Sequence, residues 1–284
     1  MSWFKTATPK KMGGGVEIVT FADGTDEQIE AMLDAYYAGD LTWEDMGWAV
    51  GDTRLIHLDA MACPNPNSSS TLAAQDITVV IIGHDHTDLA TPINGVNKAC
   101  ITVQTKECIG PCDSNNGIDG TIYVKGNNAK DTTFAKWSNL YMRTYLNSTV
   151  WGAMPNTFKS AIKESKHNRH TTYNGTASEE VTDNLFLPSY PEICGTETYN
   201  YYQPTNPTEG TQFEYYASND TTCKIKYGNN NGVSNGIAQY WWEGSPCTTY
   251  SSNYGYYWCR IEYYGSGGAA AGMHASALSP AWAM

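Results

Sequence analysis

Two short words gather side chains that could do chemistry. "GHDHTD" (83–88) sets two histidines and two aspartates just after an apolar, β-prone run, and "HNRHTT", starting at His167, follows a stretch bearing Lys159, Lys163 and Lys166. Imidazoles and carboxylates together are ligands for a transition metal. His84 and His86 are one residue apart and project to opposite faces of a continuing strand, so they share an ion only where the chain turns. "GHDHTD" therefore reads as a polar loop at a strand end. "HNRHTT" reads as the solvated end of a basic helix, where Lys and His complement the C-terminal dipole. A metal centre at the first word and an anion site at the second are the alternatives.

Eight cysteines (Cys63, Cys100, Cys108, Cys112, Cys194, Cys223, Cys247 and Cys259) invite a zinc or disulfide reading, but only "CIGPC" (108–112) brings two close together. A zinc ribbon needs a second pair of matching spacing, and none follows. Buried free thiols are the expectation, with later disulfides and metal ligation as alternatives. No G-x-S-x-G elbow, H-E-x-x-H helix or phosphate-cradling glycine loop occurs, and "MGGGVE" lacks the Lys and Ser/Thr of a nucleotide site. The chain is therefore read as no enzyme, with no catalytic residue, cofactor or metal assigned.

The richest stretch is "YWWEGSPCTTYSSNYGYYWCRIEYYGSGG" (240–268). Tyr gives a large amphipathic contact surface at small entropic cost, and Ser, Gly and Asn add adaptable hydrogen bonding, as in antibody paratopes. Tyr250, Asn253, Tyr254, Tyr256, Tyr257, Arg260, Tyr263 and Tyr264 are the ligand-binding candidates. Trp241, Trp242 and Trp258 are assigned to the core.

Around these words the chain reads as α+β. A Gly-rich arm precedes a helix capped by Thr25 with Gln28 at its third position, and Ile29, Met32, Leu33, Tyr36 and Tyr37 fall at helical spacing before Gly39. That apolar face must be buried on the domain or on another chain; packing against other subunits is expected. From Trp48 the period shortens to two in "WAVGDTRLIHLDAM", "QDITVVIIGHDH" and "ACITVQTKEC". Residues 133–165 return to helical spacing, and short β-like pieces between Asn, Gly, Ser and Pro fill the remainder. With 284 residues, 41% hydrophobic, the chain can build a core; its formal net charge of −12 opposes nucleic acid and anionic lipid as partners. The N-terminus lacks the apolar stretch of a secretory signal, no apolar run reaches membrane-spanning length, and synthesis in a cytosol without membrane insertion is expected.

From about Trp48 onward the chain resembles a domain family common in gut phages and prophages. "WAVGDTRLIHLDAM", "IIGHDH", "WSNLYMRTYLNSTVWGAMP", "LFLPSYPEICG", "FEYYAS" and "YWWEGSP" occur in that family's order across residues 48–284, and "DGTDEQIEAMLDAYYAGDLT" resembles the segment before the domain. Members resemble the variable proteins of diversity-generating retroelements, in which a C-type lectin fold displays side chains copied unfaithfully from Asn codons. The resemblance implies an arm and helix at 1–47 for attachment and oligomerisation. It implies a C-type lectin-like domain at 48–284 with two helices and a loop-rich C-terminal β region, variable over about 248–284. It places Cys259, Pro280 and Trp282 in the frame with Trp241 and Trp242, and adds Ser266, His274 and Ser276 to the variable, ligand-facing set. Glu262 and Met273 depart from the Asn-codon pattern, and the run Ala269–Ala271 offers little side chain to bind with. "YYQPTNP" has Gln203-Pro204 but Thr205 after it and no W-N-D partner, so calcium is not implied. The implied function is a phage tail receptor-binding adhesin, made in the bacterial cytoplasm and carried in the virion. Its implied partners are a host-surface protein or glycan, other tail proteins and copies of itself, taken as a trimer. The alternatives are a cellular glycan- or protein-binding module and a lectin-fold oxidase-like enzyme, which would need paired Cys and metal residues to converge.

Overall fold

The computed structural model describes residues 15–64, 70–110, 121–123, 136–171, 177–197, 209–218, 221–247, 257–271 and 275–284. The fold is α+β, with most of its regular structure in strands.

The first helix, Asp26–Ala38, begins at a full capping box: the Thr25 side chain accepts from the Gln28 amide, and the Gln28 side chain accepts from the Thr25 amide. Gly39 ends it at φ 82°, a left-handed position that suits glycine. Ile29, Met32 and Leu33 are fully buried in one cluster with Cys100, Ile101, Trp137 and Trp282. The Tyr37 hydroxyl donates to the Met284 carbonyl at 3.0 Å and accepts from the Cys100 amide at 3.2 Å. The apolar face expected to pack against other subunits is therefore covered by the chain's own core. The reason is reach: Trp48 donates its indole N–H to the Val19 carbonyl at 3.0 Å, and Arg54 pairs with Asp26, so the segment is folded back across the sheet.

That sheet has four antiparallel strands in the order Thr53–Leu58, Gln75–His84, Ile101–Thr105 and Ala281–Ala283, so the C-terminal strand lies beside one from the first half of the chain. A second sheet runs Ser178–Asp183, Ser165–His170, Asp88–Ile93, Val96–Lys98. Between them Tyr141–Tyr145, a π turn at Leu146–Val150 and Trp151–Ala153 form successive helical turns, followed by Asn156–Lys159. Asn147, inside the π turn, accepts from the amides of Asn184 and Leu185 at 3.0 Å and donates to the Leu185 carbonyl at 2.8 Å, satisfying the chain where it leaves the second sheet.

"HNRHTT" is corrected by this topology. It is no helix end, because helical geometry stops at Lys159 and Ser165–His170 is a strand paired along its length with Ser178–Asp183. His167, Arg169 and His170 are buried. Tertiary partners invisible to local pattern offset part of this burial: Arg169 donates to the Leu187 carbonyl at 2.9 Å, and the Glu209 carboxylate accepts from the His170 amide at 2.9 Å.

Because the first helix closes the core, a chain beginning at Trp48 loses the buried Ile29, Met32 and Leu33 and uncovers Cys100 and Met284, to which Tyr37 is bonded. Such a chain is expected to lose several kcal/mol of stability, since single large-to-small core changes already cost about 2–5 kcal/mol. Denaturant unfolding of the two forms checks this; equal midpoints would mean that the helix is dispensable.

Candidate functional site

The C-terminal residues build a five-stranded sheet in the order Gly267–Ala271, Tyr257–Ile261, Trp241–Pro246, Ala275–Ala277, Thr121–Tyr123. Its centre is heavy and dry. Trp241, Trp242, Trp258, Cys259 and Ile261 are fully buried, Trp282 and Pro280 lie buried just beyond, and the Trp241 indole donates to the Lys224 carbonyl at 2.9 Å.

From this scaffold the turn after Ile261 reaches solvent. After Ile261 the chain reverses through Glu262–Ser266, held by Glu262 N–H to Ser266 C=O at 2.9 Å and Gly265 N–H to Glu262 C=O at 2.8 Å. Gly265 stands at φ 90°, and a Cβ there would lie 2.3 Å from the Thr221 carbonyl oxygen, so both conformation and space require glycine. At the tip Tyr263 and Tyr264 are 49% and 55% exposed. Their rings meet edge-on at 5.0 Å, and Tyr240 packs against Tyr263 at 5.4 Å. The Arg260 guanidinium sits 4.1 Å from the centre of the Tyr240 ring, and its Nε donates to the Glu262 carboxylate at 3.1 Å. Burial, followed by the Glu262 charge, pushes the Tyr240 phenol above its ordinary value, keeping it a neutral hydroxyl. Three rings and one ion pair thus form a semi-rigid amphipathic platform.

The candidates named from sequence divide accordingly. Tyr263 and Tyr264 are exposed at the tip, Ser266 closes the turn half-buried, and Arg260 braces the rings from a largely buried position. Tyr257 begins a strand of the sheet. Tyr250, Asn253, Tyr254, Tyr256 and His274 lie outside the described residues. Ser276 is a correction: it is 1% exposed, in an interior strand between Trp241–Pro246 and Thr121–Tyr123, its side chain covered rather than presented to a ligand. Sequence reasoning missed Tyr240 and gave Glu262 no role. The signal was Arg260 and Glu262 two positions apart, on one side of an extended chain.

The two polar words meet at a separate recess of about 310 Å³, lined by His86, Lys98, Lys166, His167, Arg169 and Glu209 among others. His84 turns away from it, stacked on Trp43 at 4.2 Å, while His86 packs on Phe213 and its Nε2 meets the Thr211 carbonyl at 2.9 Å. Burial and the Arg169 charge hold His167 well below its ordinary value, hence neutral. Lys98 is matched by Asp88 at 2.7 Å and Arg169 by Glu192 at 3.5 Å, so the recess has no strong excess of positive charge. Among the described residues no group of three or more His, Cys, Asp or Glu is placed to hold a metal ion.

Fold and surface together define an α+β protein with a buried tryptophan scaffold and an aromatic turn displayed at one end. The chain belongs to the family described as "Domain of unknown function (DUF6273)", which matches residues 114–281, more than half of the chain and all five strands of the C-terminal sheet. No curated protein and no solved structure matches it significantly.

Beneath the platform Glu243 is fully buried; its Oε2 has no hydrogen-bond partner among the described residues, and its Oε1 meets the Cys194 thiol at 3.9 Å. Burial pushes its pKa well above the ordinary carboxyl value, against a smaller opposing effect of Lys224. The folded state therefore holds a proton that the unfolded chain releases above about pH 4.3, and stability falls as pH rises through that window. Glu243→Gln removes this loss. Its stability relative to the parent is expected to be higher at pH 8 than at pH 5 by about 1 kcal/mol or more. A difference that is the same at both pH values would show Glu243 ionised in the fold.

Proposed function

We propose that the chain is a binding protein that captures a surface-exposed protein or glycan through the Tyr240–Tyr263–Tyr264 platform. The observation that carries this reading is the exposed pair Tyr263 and Tyr264, held out by a glycine-dependent turn from a sheet that buries Trp241, Trp242 and Trp258. Exposed large rings braced by an arginine are the composition of interface hot spots. Activated nucleophiles are not what this region presents: the Cys259 thiol in the sheet, and the Cys194 thiol and Tyr190 phenol on the helix Tyr190–Cys194, are buried and pushed above their ordinary values, which keeps them protonated.

In its finer form the reading is a phage tail receptor-binding protein with a C-type lectin-like domain, whose C-terminal surface is diversified by a retroelement. Its supports are the ordered resemblance described above and the concentration of short strands and turns in the last 60 residues or so, on a framework of tryptophans. A trimer remains part of this proposal, but it draws no support from the first helix, whose apolar face is internal.

The test is binding of labelled full-length protein to a panel of bacterial strains and to a glycan array. Tyr263→Ala and Tyr264→Ala are each expected to weaken binding at least tenfold, about 1.4 kcal/mol or more, with thermal midpoints close to the parent's. Trp241→Ala is expected to lose roughly 3–5 kcal/mol of stability instead. Full binding by both tyrosine variants would remove this surface from the function.

A further inference from the structure

Cys247 and Cys259 are fully buried, and their sulfurs lie 3.7 Å apart, twelve positions apart in the chain. They sit on neighbouring antiparallel strands: Pro246 pairs with Trp258, which places Cys247 and Cys259 on opposite sides of that pair along the strands, diagonal to one another on a common face. Cys194 instead directs its sulfur at Glu243, and Cys100 at the Met46 thioether, each at 3.9 Å. A disulfide needs a sulfur separation of about 2.05 Å, so this diagonal pair must close by about 1.7 Å, through side-chain rotation together with a small approach of the two strands.

We propose that Cys247 and Cys259 form an intrachain disulfide, closing a covalent loop around residues 248–258. The oxidant is a small-molecule disulfide such as oxidised glutathione. One cysteine thiolate attacks a glutathione sulfur, expelling one glutathione thiolate and leaving a mixed disulfide. The second cysteine thiolate then attacks the protein sulfur of that intermediate and expels the other glutathione. Each cysteine loses one proton and one electron, and oxidised glutathione becomes two glutathione molecules. Burial, reinforced by the neighbouring Cys247, pushes the Cys259 thiol well up, so the exchange belongs to folding, before the strands close over both thiols.

The bond matters because the enclosed loop contains Tyr250, Asn253, Tyr254 and Tyr256. Cross-linking restricts the conformations open to such a loop, and pre-ordering a contact segment lowers the entropy lost on binding. The disulfide stands on the sulfur geometry alone, whatever the surface binds.

The experiment refolds the reduced, denatured full chain in a mixture of reduced and oxidised glutathione, quenches with acid, alkylates free thiols and maps peptides by mass spectrometry. The expected product is a peptide pair joining Cys247 to Cys259, two hydrogen masses lighter than the reduced pair, with alkyl groups on Cys63, Cys100 and Cys108. Alkylation of both Cys247 and Cys259, or their recovery in other pairings, overturns the proposal. As a second measurement the oxidised chain should melt higher than the reduced chain, by on the order of 5 °C. In Cys259→Ala that difference should vanish. An oxidised parent that melts no higher than the reduced one also overturns it, and this comparison stands even where the variant fails to fold.

Discussion

Everything in the fold hangs on the pairing of one three-residue strand, Ala281–Ala283. On one edge it forms a ladder with Ile101–Thr105; on the other, Ala281 exchanges backbone hydrogen bonds with Phe186 at 2.8 and 2.9 Å, and the Ala283 carbonyl accepts from Lys163 at 3.0 Å. It is thus an interior strand between parts of the chain far apart in sequence. Ala281 belongs to the apolar cluster of Phe186 and Trp241, while Trp282 belongs to that of Leu33 and Trp137, its ring edge-on to Phe158 at 5.9 Å. One Trp between two Ala residues joins two cores: small side chains let neighbouring backbone approach, and the indole fills the space behind.

The exposed aromatic turn inherits its rigidity from that seam. The chain enters it from Ala275–Ala277, which pairs with Trp241, and the three residues between are fixed to the first sheet's neighbourhood. The Leu278 carbonyl accepts from Ile109 at 2.9 Å, the Pro280 carbonyl from Thr105 at 3.0 Å, and the Ser279 carbonyl from the Gln104 side chain at 2.9 Å. With these backbone groups satisfied, the five-stranded sheet cannot tilt without breaking buried hydrogen bonds, each worth about 1 kcal/mol net and more if left unpaired. A display turn on such a base holds its side chains in a fixed geometry, and rigid presentation lowers the entropy cost of contact.

Much of the architecture was legible where a local rule governs. The capping box at Thr25 and the terminating Gly39 located the first helix, and alternation found the strands around 53–58, 75–84 and 101–105. The tryptophans of "YWWEGSP" were assigned to the interior, and both are fully buried. Legibility failed where tertiary partners override local chemistry. "KHNRH" looks like solvated surface because its residues are polar, yet Glu192, Glu209 and the Leu187 carbonyl lie across from it and make a buried strand of it. Ser276 was placed on the surface by codon logic, which carries no information about strand order. The partner of the first helix was equally hidden: an apolar stripe states that it must be covered, not by what.

The same contacts decide where this surface can change. Tyr263 and Tyr264 touch mainly each other and Tyr240, so replacing them alters the display without opening a cavity. At Gly268 a Cβ would meet the Glu262 side chain, which can move only by giving up its pairing with Arg260, whereas at Gly267 it would lie 2.6 Å from the Tyr190 hydroxyl and 2.7 Å from its buried ring, which cannot move. Gly265 is fixed by its positive φ and by the Thr221 carbonyl. Around the turn, tolerant and intolerant positions therefore interleave, tyrosines beside glycines, because the same tight reversal that exposes the rings leaves no room for side chains behind them. The mixture of Tyr and Gly in this stretch is the imprint of that geometry: the glycines make the turn, and the tyrosines use it.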